Sequence, residues 1–164
     1  MDASSEFVNP NLPDVKYATE YVNDNNWYPE VLNVPDDEAK IFVSAETGGD
    51  ILVLTLKANT ILKKVVLLPS TKPEWQLPAF PGLYLVQVYV SEEKPNVDYV
   101  KNDPKMFVQC GTFYQKTLIT HDILPIAISC EKCMPYGKYV TVQLGMANQF
   151  RISEIALYGH EIEL

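Results

Sequence analysis

Gly137-Lys138-Tyr139-Val140-Thr141-Val142-Gln143-Leu144 is followed by Gly145-Met146-Ala147-Asn148-Gln149 and then by Phe150-Arg151-Ile152-Ser153-Glu154-Ile155-Ala156-Leu157-Tyr158-Gly159. Two strands and a turn are written in this stretch. In the first strand Val140, Val142 and Leu144 share one face, and Tyr139, Thr141 and Gln143 share the other. A period of two is the pattern of a half-buried strand. Gly145 and Asn148 tolerate turn conformations, so the two strands are expected to form a closing hairpin. The second strand puts Phe150, Ile152, Glu154, Ala156 and Tyr158 at alternate positions. Glu154 therefore interrupts an apolar face. An unpartnered buried carboxylate is very costly, so Glu154 needs a cation or several donors.

The rest of the chain agrees with an all-β reading. Ala39 to Ala45, Ile51 to Leu56, Ile61 to Leu68, Leu83 to Ser91, Met106 to Cys110 and Ile126 to Cys130 are short apolar or alternating runs. Ile51 to Leu56 and Ile61 to Leu68 are separated only by Lys57-Ala58-Asn59-Thr60, which suggests a hairpin or two neighbouring core strands. Pro69, Pro73, Pro78 and Pro81 make the stretch between them a stiff loop rather than a central strand. Residues 92–105 are charged and carry Pro95 and Pro104, marking another loop. No window offers a long, capped amphipathic helix. About eight short strands with long loops predict a β-sandwich of jelly-roll type.

With 164 residues the chain has room for one domain and a short arm. Residues 1–16, with Asn9-Pro10 and Leu12-Pro13, read as an extended arm; residues 17–164 read as a single β-sandwich recognition domain. A net charge of −8 argues against nucleic acid, whose phosphates it would repel. No apolar run reaches the roughly 18 residues a membrane span needs. Met1 to Asn11 lacks the basic patch and apolar core of a signal peptide, so an extracellular location implies a piece of a longer secreted or anchored protein. Three cysteines, Cys110, Cys130 and Cys133, leave at least one outside any internal bridge.

The closing stretch also resembles the end of F-type lectin domains, the fucolectins of the wider discoidin-like family. Gly137-Lys138-Tyr139-Val140-Thr141-Val142 and Ile152-Ser153-Glu154-Ile155-Ala156-Leu157-Tyr158-Gly159 resemble that family's last two strands in order. Further matches run upstream in the right sequence. Tyr21-Val22-Asn23-Asp24-Asn25 resembles an early Ala-Val-Asp-Gly-Asn loop, and Val43-Ser44-Ala45-Glu46-Thr47 resembles a Ser-Cys-Ser-His-Thr motif. Lys72-Pro73-Glu74 stands where the family has Arg-x-Asp. The resemblance covers roughly Tyr17 to Gly159 and implies a discoidin-like sandwich that binds a carbohydrate without catalysis.

What the resemblance implies for individual residues is uneven. It implies a structural calcium ion held by Asn23, Asn25, Ser44 and Glu154. All four carry oxygen, which suits a hard cation. Asn23 replaces the family's Asp, and fewer charged ligands weaken such a site. It implies a sugar site at Glu46, Lys72 and Glu74, with Trp75 beside them to stack on a ring. The fucose motif itself is broken: Glu46 stands for a His, Lys72 is the one basic residue kept, and the second basic position falls near Ala79. A glycan other than fucose, or a glycoprotein, is the expected ligand. The alternative partner is a protein, bound by a scaffold that has lost its sugar site. The resemblance also implies a Cys110–Cys130 disulfide, with Cys133 left over.

Other chemistry is poorly supported. Cys130-Glu131-Lys132-Cys133 has the spacing of zinc and redox motifs, but no second such pair exists. His121 and His160 are the chain's two histidines, and no nucleophile elbow or phosphate loop is present. The chain is read as a non-enzyme.

Overall fold

The computed structural model describes residues 2–3, 42–43, 51–69, 85–96, 107–114, 125–144 and 151–162. Every regular element among them is a strand. These are β1 (Asp2–Ala3), β2 (Phe42–Val43), β3 (Ile51–Pro69), β4 (Leu85–Ser91), β5 (Val108–Tyr114), β6 (Ile126–Ser129), β7 (Tyr136–Leu144) and β8 (Arg151–Glu161). Among the described residues, no helix is long and apolar enough to cross a membrane.

The 19-residue strand β3 builds the architecture. Its first half pairs antiparallel with β1 and β7; its second half pairs antiparallel with β6 and β8. Two layers follow. One runs β1-β3-β7-β4-β5, and the other runs β2-β8-β3-β6. The strand passes from layer to layer where its register with β7 breaks, between Thr55 and Thr60. The runs Ile51–Leu56 and Ile61–Leu68, expected as a hairpin or as neighbours, are thus two ends of one bent strand. Each end already has partners on both sides, so neither needs the other.

The core lies between the layers. Leu52 and Leu54 from the first half of β3 join Val86, Val88 and Val90 of β4 and Val140 and Val142 of β7. Leu62, Val65 and Leu67 from its second half meet them with Ile126, Ile128, Ile152 and Ile155. These residues are essentially excluded from water. Each fully buried Val, Leu or Ile contributes about 1.5–3 kcal/mol, which is what drives the layers together. A smaller cluster, Ile51 and Val53 with Phe107 and Tyr139, sits on the outer face of the β7 layer.

The closing strands β7 and β8 are present, but they are not a hairpin. β3 lies between them in the hydrogen-bonded order. Their apolar faces meet across the core, where a directly paired hairpin would set them side by side. The two glycines that bound this stretch are explained by close backbone approach. A Cβ on Gly159 would lie 2.5 Å from the Ile61 carbonyl oxygen, and one on Gly137 would collide with the Ser91 carbonyl oxygen.

The expected face of β8 is also corrected. Leu68 pairs with Glu154 but Pro69 pairs with Ile152, so Ser153 is an extra residue in the ladder. A bulge of this kind reverses the side on which later residues point. Ile152 therefore joins Ile155 in the core, with Leu157 packed against it. Glu154 instead shares the outer face with its partner Leu68 and with Ala156 and Tyr158.

Candidate functional site

The described strand ends that bound four connecting segments lie at one end of the sandwich. Segment 44–50 links β2 to the start of β3, and segment 70–84 links the end of β3 to β4. Segment 115–124 links β5 toward β6, and segment 145–150 links β7 to β8. Each leaves one layer and enters the other. The registers put their described ends together. Ile51 pairs with Gln143, Val86 with Leu144 and Leu85 with Tyr114 at the end of the first layer. Pro69 pairs with Ile152, Val43 with Arg151 and Leu67 with Ile126 at the end of the second. The β3 bend at Thr55–Thr60 and the 130–135 turn belong to the opposite end.

The sequence-expected ligand residues Glu46, Lys72, Glu74 and Trp75 belong to segments 44–50 and 70–84. They lie outside the described residues, as do Asn23, Asn25 and Ser44. Of the expected metal set only Glu154 is described. It is 1% exposed, and its Oε1 accepts a hydrogen bond from Ile155 N at 3.1 Å. Leu68 opposite it is also buried, so this end of the outer face of β3 and β8 is closed to water. The neighbouring strand β2 pairs Val43 with Arg151, which brings the chain to within one residue of Ser44 beside β8. Among the described residues, no group of three or more His, Cys, Asp or Glu side chains could hold a metal ion.

The expected disulfide is formed. Cys110 of β5 and Cys130, just after β6, are bridged with their Cα atoms 4.4 Å apart. Around it the layers touch closely. A Cβ on Gly111 would lie 2.7 Å from Ile128 Cγ2 and 2.8 Å from the Ser129 carbonyl oxygen. Cys133 is a free, exposed thiol. It lies in a tight turn in which Cys133 N and Met134 N both donate to the Cys130 carbonyl. Met134 completes that turn with a positive φ of 40°.

One arrangement escaped the sequence reading. Gln143 stands opposite Gln87, and Gln87 stands opposite Thr112, making a polar row across β7, β4 and β5. All three point away from the core: Val86, Val88 and Val142 beside the two glutamines point in, and Thr112 shares their face as the partner of Gln87, with Phe113 next to it packed on the core. The signal was present as single polar residues set between core valines. Alternation alone does not tell which strands lie side by side.

No family model matches the chain, and no curated protein matches it. Solved structures do. The C-terminal domain of a chitobiase from Bacteroides fragilis is 12% identical, with a TM-score of 0.63 over 99% of this chain and 93% of that one. An F5/8 type C domain, also from Bacteroides fragilis, is 14% identical, with a TM-score of 0.60 over 98% of this chain and 92% of that one. A CBM32 module from Clostridium perfringens, in complex with GalNAc-β-1,3-galactose, is 14% identical, with a TM-score of 0.60 over 96% and 92%. The chain thus has the discoidin-like β-sandwich fold that was expected.

Proposed function

We propose that this chain is a non-catalytic recognition module that binds a carbohydrate through the loops at one end of the sandwich. The observation that carries this reading is that the described strand ends bounding segments 44–50, 70–84, 115–124 and 145–150 lie together at that end. Two of them contain Glu46, Lys72, Glu74 and Trp75. Carboxylates accept hydrogen bonds from vicinal hydroxyls, a lysine donates to them, and an indole packs on the apolar face of a pyranose. The CBM32 module of the same fold, solved with a bound disaccharide, supports the same ligand class. The broken fucose motif points to a sugar other than fucose, and the narrower likeness to F-type lectins rests on the sequence motifs alone.

Calcium fits the chemistry of the proposed structural site. Glu154 is a fully buried carboxylate, and Asn23, Asn25 and Ser44 would complete an oxygen donor set around it. The ion would neutralise the carboxylate and tie the early loop to β8. An extracellular location is part of the proposal, because disulfides such as Cys110–Cys130 persist in oxidising compartments.

One observation favours a second reading. Glu46 replaces the basic-motif histidine and Lys72 alone keeps its charge, so the scaffold would serve protein–protein adhesion with its sugar site lost. A glycan-array screen, run with calcium and with chelator, separates the two. Specific binding that falls in Lys72→Ala and Trp75→Ala supports the lectin reading. A blank array from a cooperatively folded protein overturns it in favour of a protein partner.

A further inference from the structure

The outer face of the β7-β4-β5 ladder carries an uncharged row of hydrogen-bonding side chains. Gln143, Gln87 and Thr112 are direct cross-strand neighbours. Adjacent strands are about 4.8 Å apart, so the row spans roughly 10 Å. Gln87 and Gln143 are half-buried, and among the described residues neither amide has a hydrogen-bond partner. Each brings two donors and an acceptor that have lost part of their water and, among the described residues, gained no protein bond in return. Gln109 Nε2 donates to Thr112 Oγ1 at 2.7 Å. In that bond the Thr112 oxygen accepts, so its hydroxyl proton remains available as a donor. Tyr114, 54% exposed, ends the row beside Leu85.

We propose that this face is a second carbohydrate-binding surface, for a neutral oligosaccharide laid across Gln143, Gln87 and Thr112 with Tyr114 at its end. The chemistry selects the ligand. Among the described residues, no Asp, Glu, Lys or Arg occupies the outward positions of β4, β5 or β7 from Tyr139 to Gln143. An anion finds no cation there, and a metal ion finds no carboxylate. A protein partner needs exposed apolar anchors, and the apolar residues of this face, Ile51, Val53 and Tyr89, are buried. Sugar hydroxyls donate and accept at once, which is what a row of amides and hydroxyls matches, while an exposed tyrosine ring packs on the C–H face of a pyranose. The row also adjoins the loop end, since Leu85–Tyr114 and Val86–Leu144 are the last pairs before segments 70–84 and 145–150. A glycan held at the loops has a path onto the sheet, but the sheet face binds through its own residues.

The test is NMR titration of the whole chain with cellohexaose, chitohexaose, laminarihexaose and mannohexaose, with heparin hexasaccharide as the acidic comparison. The expected result is that at least one neutral probe moves the side-chain amides of Gln87 and Gln143 and the ring of Tyr114. The double variant Gln87→Ala/Gln143→Ala should weaken that probe about tenfold or more, the loss expected for two ligand hydrogen bonds. It should melt as the parent does, because the amides it removes make no hydrogen bond among the described residues. The proposal fails if no neutral probe moves these signals, if the double variant binds unchanged, or if the acidic probe binds there equally well. Loss on Gln87→Ala/Gln143→Ala with no loss on Lys72→Ala/Trp75→Ala upholds the sheet site and removes the loop site. The reverse result upholds the loop site and removes this one.

Discussion

Cys110 and Cys130 join two edge strands that share no ladder hydrogen bonds among the described residues. β5 is the last strand of one layer and β6 the last of the other, and Gly111 packs directly against Ile128 between them. The bridge is the covalent closure of that side of the sandwich.

Reducing this bridge should therefore cost real stability. The cysteines are 20 residues apart, and a loop of that length corresponds to about 3 kcal/mol. The Cys110→Ala/Cys130→Ala variant is expected to show a lower urea midpoint and a steeper denaturant slope, because the unfolded chain without the crosslink exposes more surface. Reductant should lower the midpoint of the parent and leave the variant unmoved. Equal midpoints for parent and variant would show that packing alone closes the seam.

Glu154 is the one buried carboxylate described, and it faces Leu68 rather than the core. Replacing it with alanine removes an acceptor from Ile155 N and should cost about 1–3 kcal/mol. Calcium should raise the melting temperature of the parent, because an ion that binds only the folded chain stabilises it by mass action. The near-isosteric Glu154→Gln should lose that calcium response. A thermal shift that is indifferent to calcium in both proteins would remove the metal from the proposal.

Thr141 makes the opposite prediction. It is fully buried on β7 between Val53 and Tyr89, and its Oγ1 has no hydrogen-bond partner among the described residues. Thr141→Val keeps the shape and removes the unpaired hydroxyl. It should be neutral or stabilise by about 1 kcal/mol, read as a higher urea midpoint. A loss of more than about 1 kcal/mol would mean that the hydroxyl is bonded in solution.

Alkaline pH should act through Tyr89. Burial raises the pKa of this phenol above its ordinary 10.0, and its ring packs edge-on against Phe107, with centroids 6.3 Å apart. A pKa raised on folding contributes stability that is complete below the unfolded value. That stability is lost as pH climbs through the folded value. Denaturant midpoints should accordingly be flat in this respect below pH 10 and decline above it. Tyr89→Phe should flatten part of the decline.

How much of this was legible in the chain depends on the range of the interaction. Alternation at Val86-Gln87-Val88 and Val140-Thr141-Val142 identified strands and their inward residues, because side-chain direction in a strand is a local property with period two. The cysteine pair was read through resemblance to a known domain, and the bridge is where that likeness implied. The candidate loop residues were assigned in the same way. Their segments begin and end together at one end of the sandwich, which no local pattern could reveal.

Which strand lies beside which was decided by tertiary structure. β3 separates β7 from β8, although those two are consecutive and joined by a short connection. The extra residue at Ser153 turned Glu154 away from the core, and a register shift of one is invisible in a period of two until the partner strand is known. The row Gln143-Gln87-Thr112 arises from residues far apart in the chain that only ladder hydrogen bonds align. Local backbone geometry follows from the residues in each segment. Faces shared between strands follow from pairing, which is a contest among all the strands at once.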